Sequence, residues 1–212
     1  MRLAAALVIA LAVVATAAAG SGEPKKKIIP AVQAQARSIN IHLSDLPPLG
    51  WKAKSSSSES STPRCSYYNP VESDLTENGD ATAPEFTLAS GSFVSSSTGI
   101  FASAKQGRTA YARVVQPKLP LCLAEIFRKG TGIPTTIVSA ARVSFPNLAE
   151  RTDAYHIVAD VKAGSQTIRA TIDLVVMNRA KTDVVLFLVG VGKPFGSAFE
   201  LGLAKKLAAR IP

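Results

Sequence analysis

The residues best suited to chemistry are the two histidines and the carboxylates that could act with them. His42 precedes the predicted core, whereas His156 lies in an apolar segment that predicts a strand. A turn through Gly164 and Ser165 predicts a hairpin whose register places His156 directly opposite Asp173. Such a pair is half of a hydrolase triad, but no serine lies in a Gly-x-Ser-x-Gly elbow. We therefore favour a cross-strand polar pair on the open face of the sheet, with catalysis as the alternative.

A glycine-rich segment at residues 190–197 follows a predicted strand and opens a predicted helix, as nucleotide-binding loops do. Its Gly-Lys pair is not followed by Ser or Thr as in a P-loop, and the segment does not match the dinucleotide fingerprint. It is instead typical of a strand-to-helix turn. The remaining expectation is an anion contact at Lys193, beside the free N–H groups of the helix.

The two cysteines, Cys65 and Cys122, lack the paired spacing and the nearby histidines of a zinc site. In an exported protein they predict one disulfide. That bond would close a loop of roughly 60 residues and stabilise the fold by about 4 kcal/mol on the chain-entropy account. The acidic residues are scattered, so we expect neither a metal nor a cofactor.

The N-terminal residues indicate export. Met1 and Arg2 precede an uncharged run that is apolar except for Thr16 and ends in small residues that offer a cleavage site. We therefore predict a signal peptide over residues 1–19 and a secreted or cell-envelope location. An uncleaved membrane anchor is the alternative, although a spanning helix needs roughly 20 strongly apolar residues.

The composition indicates a folded domain with a basic surface, since 47% of the residues are hydrophobic and the net charge is +9. We favour a basic surface that serves solubility. The alternative is that the protein meets anionic surfaces, with the run Lys25, Lys26 and Lys27 as the contact for anionic lipid. Nucleic acid is not expected as a partner, because the few aromatic residues do not interleave with the basic ones.

The order of predicted elements indicates a single α+β domain, an antiparallel sheet with flanking helices. Residues 20–42 are predicted to be a linker and a short helix, and residues 43–212 the domain. A serine-rich segment at about 55–62 and an acidic one at 72–84 predict loops. Strands are predicted at 85–89, 93–101, 154–162, 167–178 and 183–191. Helices are predicted at 103–115, with Ser103 as the N-cap, in a second piece to about 127, and at 196–210, where Phe199, Leu203 and Leu207 share one face. The one tryptophan, Trp51, is predicted to be a core anchor.

Several short motifs together carry a resemblance: Leu43-Ser44-Asp45-Leu46-Pro47 before Gly50-Trp51, Leu121-Cys122-Leu123, Asp153-Ala154-Tyr155, Ile172 to Val176, and Leu207-Ala208-Ala209-Arg210. Over residues 43–211 the chain resembles exported actinobacterial proteins similar to the extracellular sensor domain of PknH-type serine/threonine kinases. The resemblance implies a PsbP-like fold that binds an external ligand in a cleft. It also implies a bracing disulfide, a role that Cys65 and Cys122 match.

The expected function is therefore a non-catalytic, exported binding or sensor-like module for a small ligand or an envelope partner. The alternative is a basic structural or interaction protein that sits on anionic lipid at the envelope. A hydrolase built on His156 and Asp173 is the least favoured hypothesis.

Overall fold

A computed structural model describes four stretches of the chain: residues 22–55, 64–66, 68–130 and 132–212. The predicted signal peptide, and all of the predicted serine-rich loop except Ser55, lie outside the described residues. In the part of the chain that is described, none of the helices combines the length and the apolar character needed to cross a membrane.

The described strands form one sheet, and four helices pack on it, which confirms the predicted single-domain α+β fold. The strand order is β1-β3-β5-β9-β8-β7-β6, with β4 beside β5 and β2 beside β4. Every pairing is antiparallel except that of β1 with β3. The strands are β1 (Lys25–Lys26), β2 (Lys52–Lys54), β3 (Thr76–Thr82), β4 (Glu85–Thr87), β5 (Phe93–Phe101), β6 (Thr135–Val143), β7 (Arg151–Ala163), β8 (Gln166–Arg179) and β9 (Thr182–Val191).

The helices cover both faces of the sheet. They are α1 (Pro30–Ile39), α2 (Ala104–Val114), α3 (Leu119–Gly130) and α4 (Ser197–Arg210). The first and last helices pack on one face, called here the α1–α4 face, and the middle two pack on the opposite face. Successive residues of β8 therefore enter different cores: Val175 packs on the α1–α4 face, while Leu174 and Val176 pack on the other. This explains why β8 and β9 are apolar on both sides.

Local signals set the helix ends and faces. The Ser103 hydroxyl accepts a 3.3 Å hydrogen bond from the backbone N–H of Gln106, which confirms the predicted N-cap of α2. Pro30 opens α1, where its missing N–H costs nothing. Leu203 and Leu207 of α4 are buried at the predicted helical spacing.

Hydrogen bonds between Arg210, Asp45 and Asn40, called here the polar clasp, join the segment after α1 to the end of α4. The Arg210 guanidinium donates hydrogen bonds of 2.9 and 2.7 Å to the Asp45 carboxylate, and one of 2.9 Å to the Asn40 carbonyl. The buried Asn40 amide in turn donates to the Ala81 carbonyl of β3 and accepts from Thr98 of β5. Because each buried polar group finds a partner, the network fixes α1 and α4 against the sheet at little desolvation cost.

The predicted linker over residues 20–30 differs from the structure. Lys25 and Lys26 form β1, held by backbone hydrogen bonds to β3, and Lys26 forms an ion pair of 3.1 Å with Asp80. The folded domain therefore extends upstream of residue 43. The sequence carries no signal for β1, because its side chains are exposed and its contacts are made by the main chain, so it shows no pattern of apolar residues.

The predicted loop over residues 72–84 is wrong, because it contains β3. The inward positions of this strand are Glu77, Gly79 and Ala81, one charged and two small, so the large apolar residues of a typical buried strand are missing. The small residue is needed at Gly79, since a Cβ there would lie 2.7 Å from the Val32 carbonyl oxygen of α1. Strand β6 was not predicted either, since it lies at the sheet edge and most of its residues are partly or fully exposed.

Cys65 and Cys122 form a disulfide, as predicted, with their Cα atoms 5.6 Å apart. It ties the loop that precedes β3 to the buried side of α3. A disulfide fits an extracytoplasmic location, where oxidising conditions preserve it.

We predict that replacing both cysteines, Cys65→Ala with Cys122→Ala, lowers the free energy of unfolding. The separation of 57 residues predicts a loss of about 4 kcal/mol, because the unfolded chain regains the entropy of the open loop. Urea unfolding followed by circular dichroism measures it. A reductant should lower the midpoint of the native protein and leave that of the double variant unchanged. Equal urea midpoints for the native protein and the double variant, both measured without reductant, would contradict the prediction.

Candidate functional site

A cleft of about 560 Å³ opens on the α1–α4 face, between the start of α4, the loop after β6, and the strands β7 and β8. This volume suits a small organic ligand. Its polar groups are His156, Asp173 and Glu200. Its walls are apolar, formed by Val143, Phe145, Pro146, Pro194, Phe195 and Leu201.

His156 and Asp173 face each other across β7 and β8, in the register that the sequence predicts. The Nδ1 atom of His156 lies 2.5 Å from Oδ1 of Asp173. Asp173 is buried, whereas the His156 side chain is about one-third exposed. The expectation of an open sheet face is wrong, because the beginning of α4 lies over this pair and turns it into the floor of a cleft.

Glu200 is the third titratable group of the cleft, and it was not predicted from the sequence. It sits in the first turn of α4, where an acidic residue is ordinarily explained by the helix dipole. Burial raises the pKa of this carboxyl to about 7, and the negative charge of Asp173 adds to the rise while His156 opposes it. Glu200 therefore exchanges a proton near neutral pH, unlike an ordinary surface glutamate.

Two serines, Ser144 and Ser197, line the cleft with the polar groups, and both are exposed. Among the residues that the structure describes, neither hydroxyl forms a hydrogen bond with His156. The cleft thus has the histidine and carboxylate of a triad without an engaged nucleophile. Its polar groups lie beside apolar walls, so the arrangement offers hydrogen bonding and charge next to an apolar surface.

An aromatic cluster supports the wall beside α4. The ring of Trp51 stacks at 6.1 Å from Phe195 and 6.1 Å from Phe199, and these two phenylalanines are 5.1 Å apart. Trp51 is therefore a packing residue, as predicted, and it braces the turn that carries Phe195 into the cleft.

The remaining predicted contact residues do not line the cleft. Lys193 is exposed on the turn between β9 and α4 and is not among the lining residues, so its anion contact stays a prediction. Lys25 and Lys26 belong to β1, at the opposite end of the strand order from β6, and Lys27 follows them. The lipid contact of this run also stays a prediction.

Over the described residues, no group of three or more His, Cys, Asp or Glu side chains could hold a metal ion. No known family model matches the chain, and no curated protein matches it. The class of protein is therefore defined by the fold and the site alone. This is a disulfide-braced, single-domain α+β protein with a ligand-sized cleft beside its last helix.

We predict that the carboxyl of Glu200 titrates with a pKa of about 7. Replacing Asp173→Asn should lower this pKa, because it removes a nearby negative charge, while burial keeps it above the usual value of 4.5. The side-chain ¹³C chemical shift of Glu200, followed by NMR against pH, measures both values.

Asp160→Asn is the matched control, since Asp160 lies on the same hairpin and pairs across the strands with Arg169. It should leave the titration of Glu200 unchanged. A Glu200 that titrates near 4.5 in the native protein, or an equal effect of both asparagine variants, would contradict the predicted environment.

The same shift predicts how Glu200 affects stability. Its pKa is higher in the folded chain than in the unfolded one, so the stabilisation is present below about 4.5 and is lost as the pH rises through about 7. Glu200→Gln stays neutral and should gain about 2 kcal/mol relative to the native protein between pH 4 and pH 8, less than the full shift implies because the side chain remains partly solvated.

Chemical unfolding at a series of pH values measures this difference. Glu77 is also buried, and burial raises its pKa to about 8, so the native protein alone would report both groups. The comparison with the variant isolates Glu200. If the free energies of unfolding of the native protein and of Glu200→Gln differ by the same amount at every pH from 4 to 8, the pKa of Glu200 is not raised by folding.

Proposed function

We propose that this protein is a non-catalytic, exported binding module that holds a small organic ligand in the cleft beside α4. The observation that carries the proposal is the cleft itself: a cavity of about 560 Å³ with apolar walls, three titratable groups and two serines. Ligand sites commonly combine mostly apolar lining with a few placed polar groups, which orient the ligand.

The scaffold beneath the cleft supports this proposal. His156 and Asp173 lie within two long strands that pair along their whole length, so their positions are set by the sheet. The opposite wall rests on the aromatic cluster around Trp51. A site mounted on such elements is organised before the ligand arrives, which reduces the entropy lost on binding.

Binding is favoured over catalysis by the surroundings of His156. Its Nδ1 atom is engaged by Asp173, as in a triad, but no serine of the described chain is hydrogen-bonded to the ring. A covalent mechanism requires a nucleophile within reach of its base. The groups present serve hydrogen bonding and charge, which recognition requires.

The location and the resemblance point in the same direction. The Cys65–Cys122 disulfide fits a protein that works outside the cytoplasm. The resemblance to PknH-type sensor domains implies a PsbP-like module with a ligand cleft. We therefore place the role in sensing or carrying a small ligand or an envelope component.

Native mass spectrometry of the protein purified from an exporting host tests this function. We expect extra mass under native conditions that disappears on denaturation. Ala198→Trp should abolish it, because Ala198 lines the cleft and a large side chain there fills the cavity. Ala209→Trp is the control, since Ala209 is exposed on the same helix outside the cleft, and this variant should keep the ligand.

The proposal fails if the native protein carries no added mass and no compound of a fragment library raises its melting temperature. It fails equally if the tryptophan at position 198 leaves binding unchanged, because the ligand would then occupy another place.

A further inference from the structure

We propose that the ligand of this cleft is a cation: an amine or ammonium group attached to an apolar body. The inference rests on the binding function proposed above and names the chemical class that the site would select.

The distribution of charge is the first argument. The chain has 24 Lys and Arg residues against 15 Asp and Glu, yet the lining of the cleft includes two carboxylates and no lysine or arginine. A pocket with low-dielectric walls strengthens the field of the charges inside it. The cleft is therefore an acidic site in a basic protein, and that field attracts positive charge.

The second argument is the supply of hydrogen-bond acceptors. Asp173 uses Oδ1 to bind His156, while its Oδ2 and both oxygens of Glu200 have no hydrogen-bond partner among the described residues. An ammonium group brings three donors and no acceptor, so it matches this set. A ligand carboxylate brings only acceptors and would leave the oxygens unpaired.

The apolar walls account for the rest of the ligand. Phe145 and Phe195 are the aromatic residues of the lining, and Leu201 adds an aliphatic surface. The face of an aromatic ring attracts a cation, and all three side chains can cover an alkyl or aryl body. The cleft thus offers an acidic end and an apolar body, which is the complement of an apolar amine.

Two features favour the opposite charge: the start of α4, and His156, which opposes the rise that burial causes in the pKa of Glu200. No side chain caps this helix at Gly196, so its free N–H groups carry the partial positive charge of the dipole, equivalent to about half an elementary charge. The cleft sets two carboxyl groups, those of Asp173 and Glu200, against these two features, so we infer that an anionic ligand is disfavoured.

Three probes with the same alkyl chain test the inference: hexylammonium, hexan-1-ol and hexanoate, each titrated into the full chain at pH 7.5. Shifts of the backbone amide resonances of the cleft report binding. We expect hexylammonium to bind at least tenfold more tightly than hexan-1-ol, and hexanoate to bind most weakly.

Asp173→Asn should reduce the preference for hexylammonium over hexan-1-ol to threefold or less, whereas Asp160→Asn should preserve it. Glu200→Gln provides a second test at the edge of the cleft, in case the buried substitution disturbs folding. It should reduce the same preference, because one of the two carboxyl groups of the cleft is lost.

Equal affinity for hexylammonium and hexan-1-ol would overturn the cationic class and leave the proposed binding function in place. Tighter binding of hexanoate would overturn it in favour of an anion. If none of the probes shifts the cleft resonances at millimolar concentration, the inference also falls, while retained mass in the native spectrum would still support a binding module.

Discussion

The antiparallel register between β7 and β8 is the constraint on which the site depends. Ala163 pairs with Gln166 at the turn, and counting back along both strands brings His156 opposite Asp173. A slip of one residue would turn every side chain of one strand to the other face and separate the pair. The register is held by two cores at once, because β8 places Val175 on the α1–α4 face and Leu174 on the other. The position of the polar pair is thus a consequence of apolar packing.

The features that the sequence predicted have local signals. A glycine turn between alternating strands predicts a hairpin and hence its cross-strand pairs, and two cysteines in a chain predicted to be exported predict one disulfide. The features that it missed depend on distant parts of the chain. Gly79 occurs in β3 because α1 passes close by, and Glu200 acquires its unusual pKa because α4 brings it near Asp173. The floor of the cleft could therefore be predicted, whereas its closing wall required the tertiary structure.

The chain as a whole has a positive net charge, whereas the charged groups that line the cleft include two carboxyl groups. A net charge of +9 predicts anionic partners, and it describes the surface as a whole. Ion pairs such as those of Lys26 with Asp80 and of Arg210 with Asp45 hold some of the cations in place and leave this net excess unchanged. What a cleft binds is decided by the few groups that face it, and here they are acidic. A basic surface and an acidic site can thus serve different partners.

The clasp between Arg210 and Asp45 also bears on how the chain folds. These residues are 165 positions apart, and their 2.7 Å contact joins the segment after α1 to the last helix, α4. Contacts between such distant residues form slowly, because a long loop must close before any of its contacts contributes. Hairpins such as β7–β8 close short loops, so we expect them to form before the contact of Arg210 with Asp45. Since α4 supplies one wall of the cleft, we expect the cleft to be completed late in folding. Until α4 docks, the apolar side chains of the α1–α4 face would stay exposed, which favours contact with other chains.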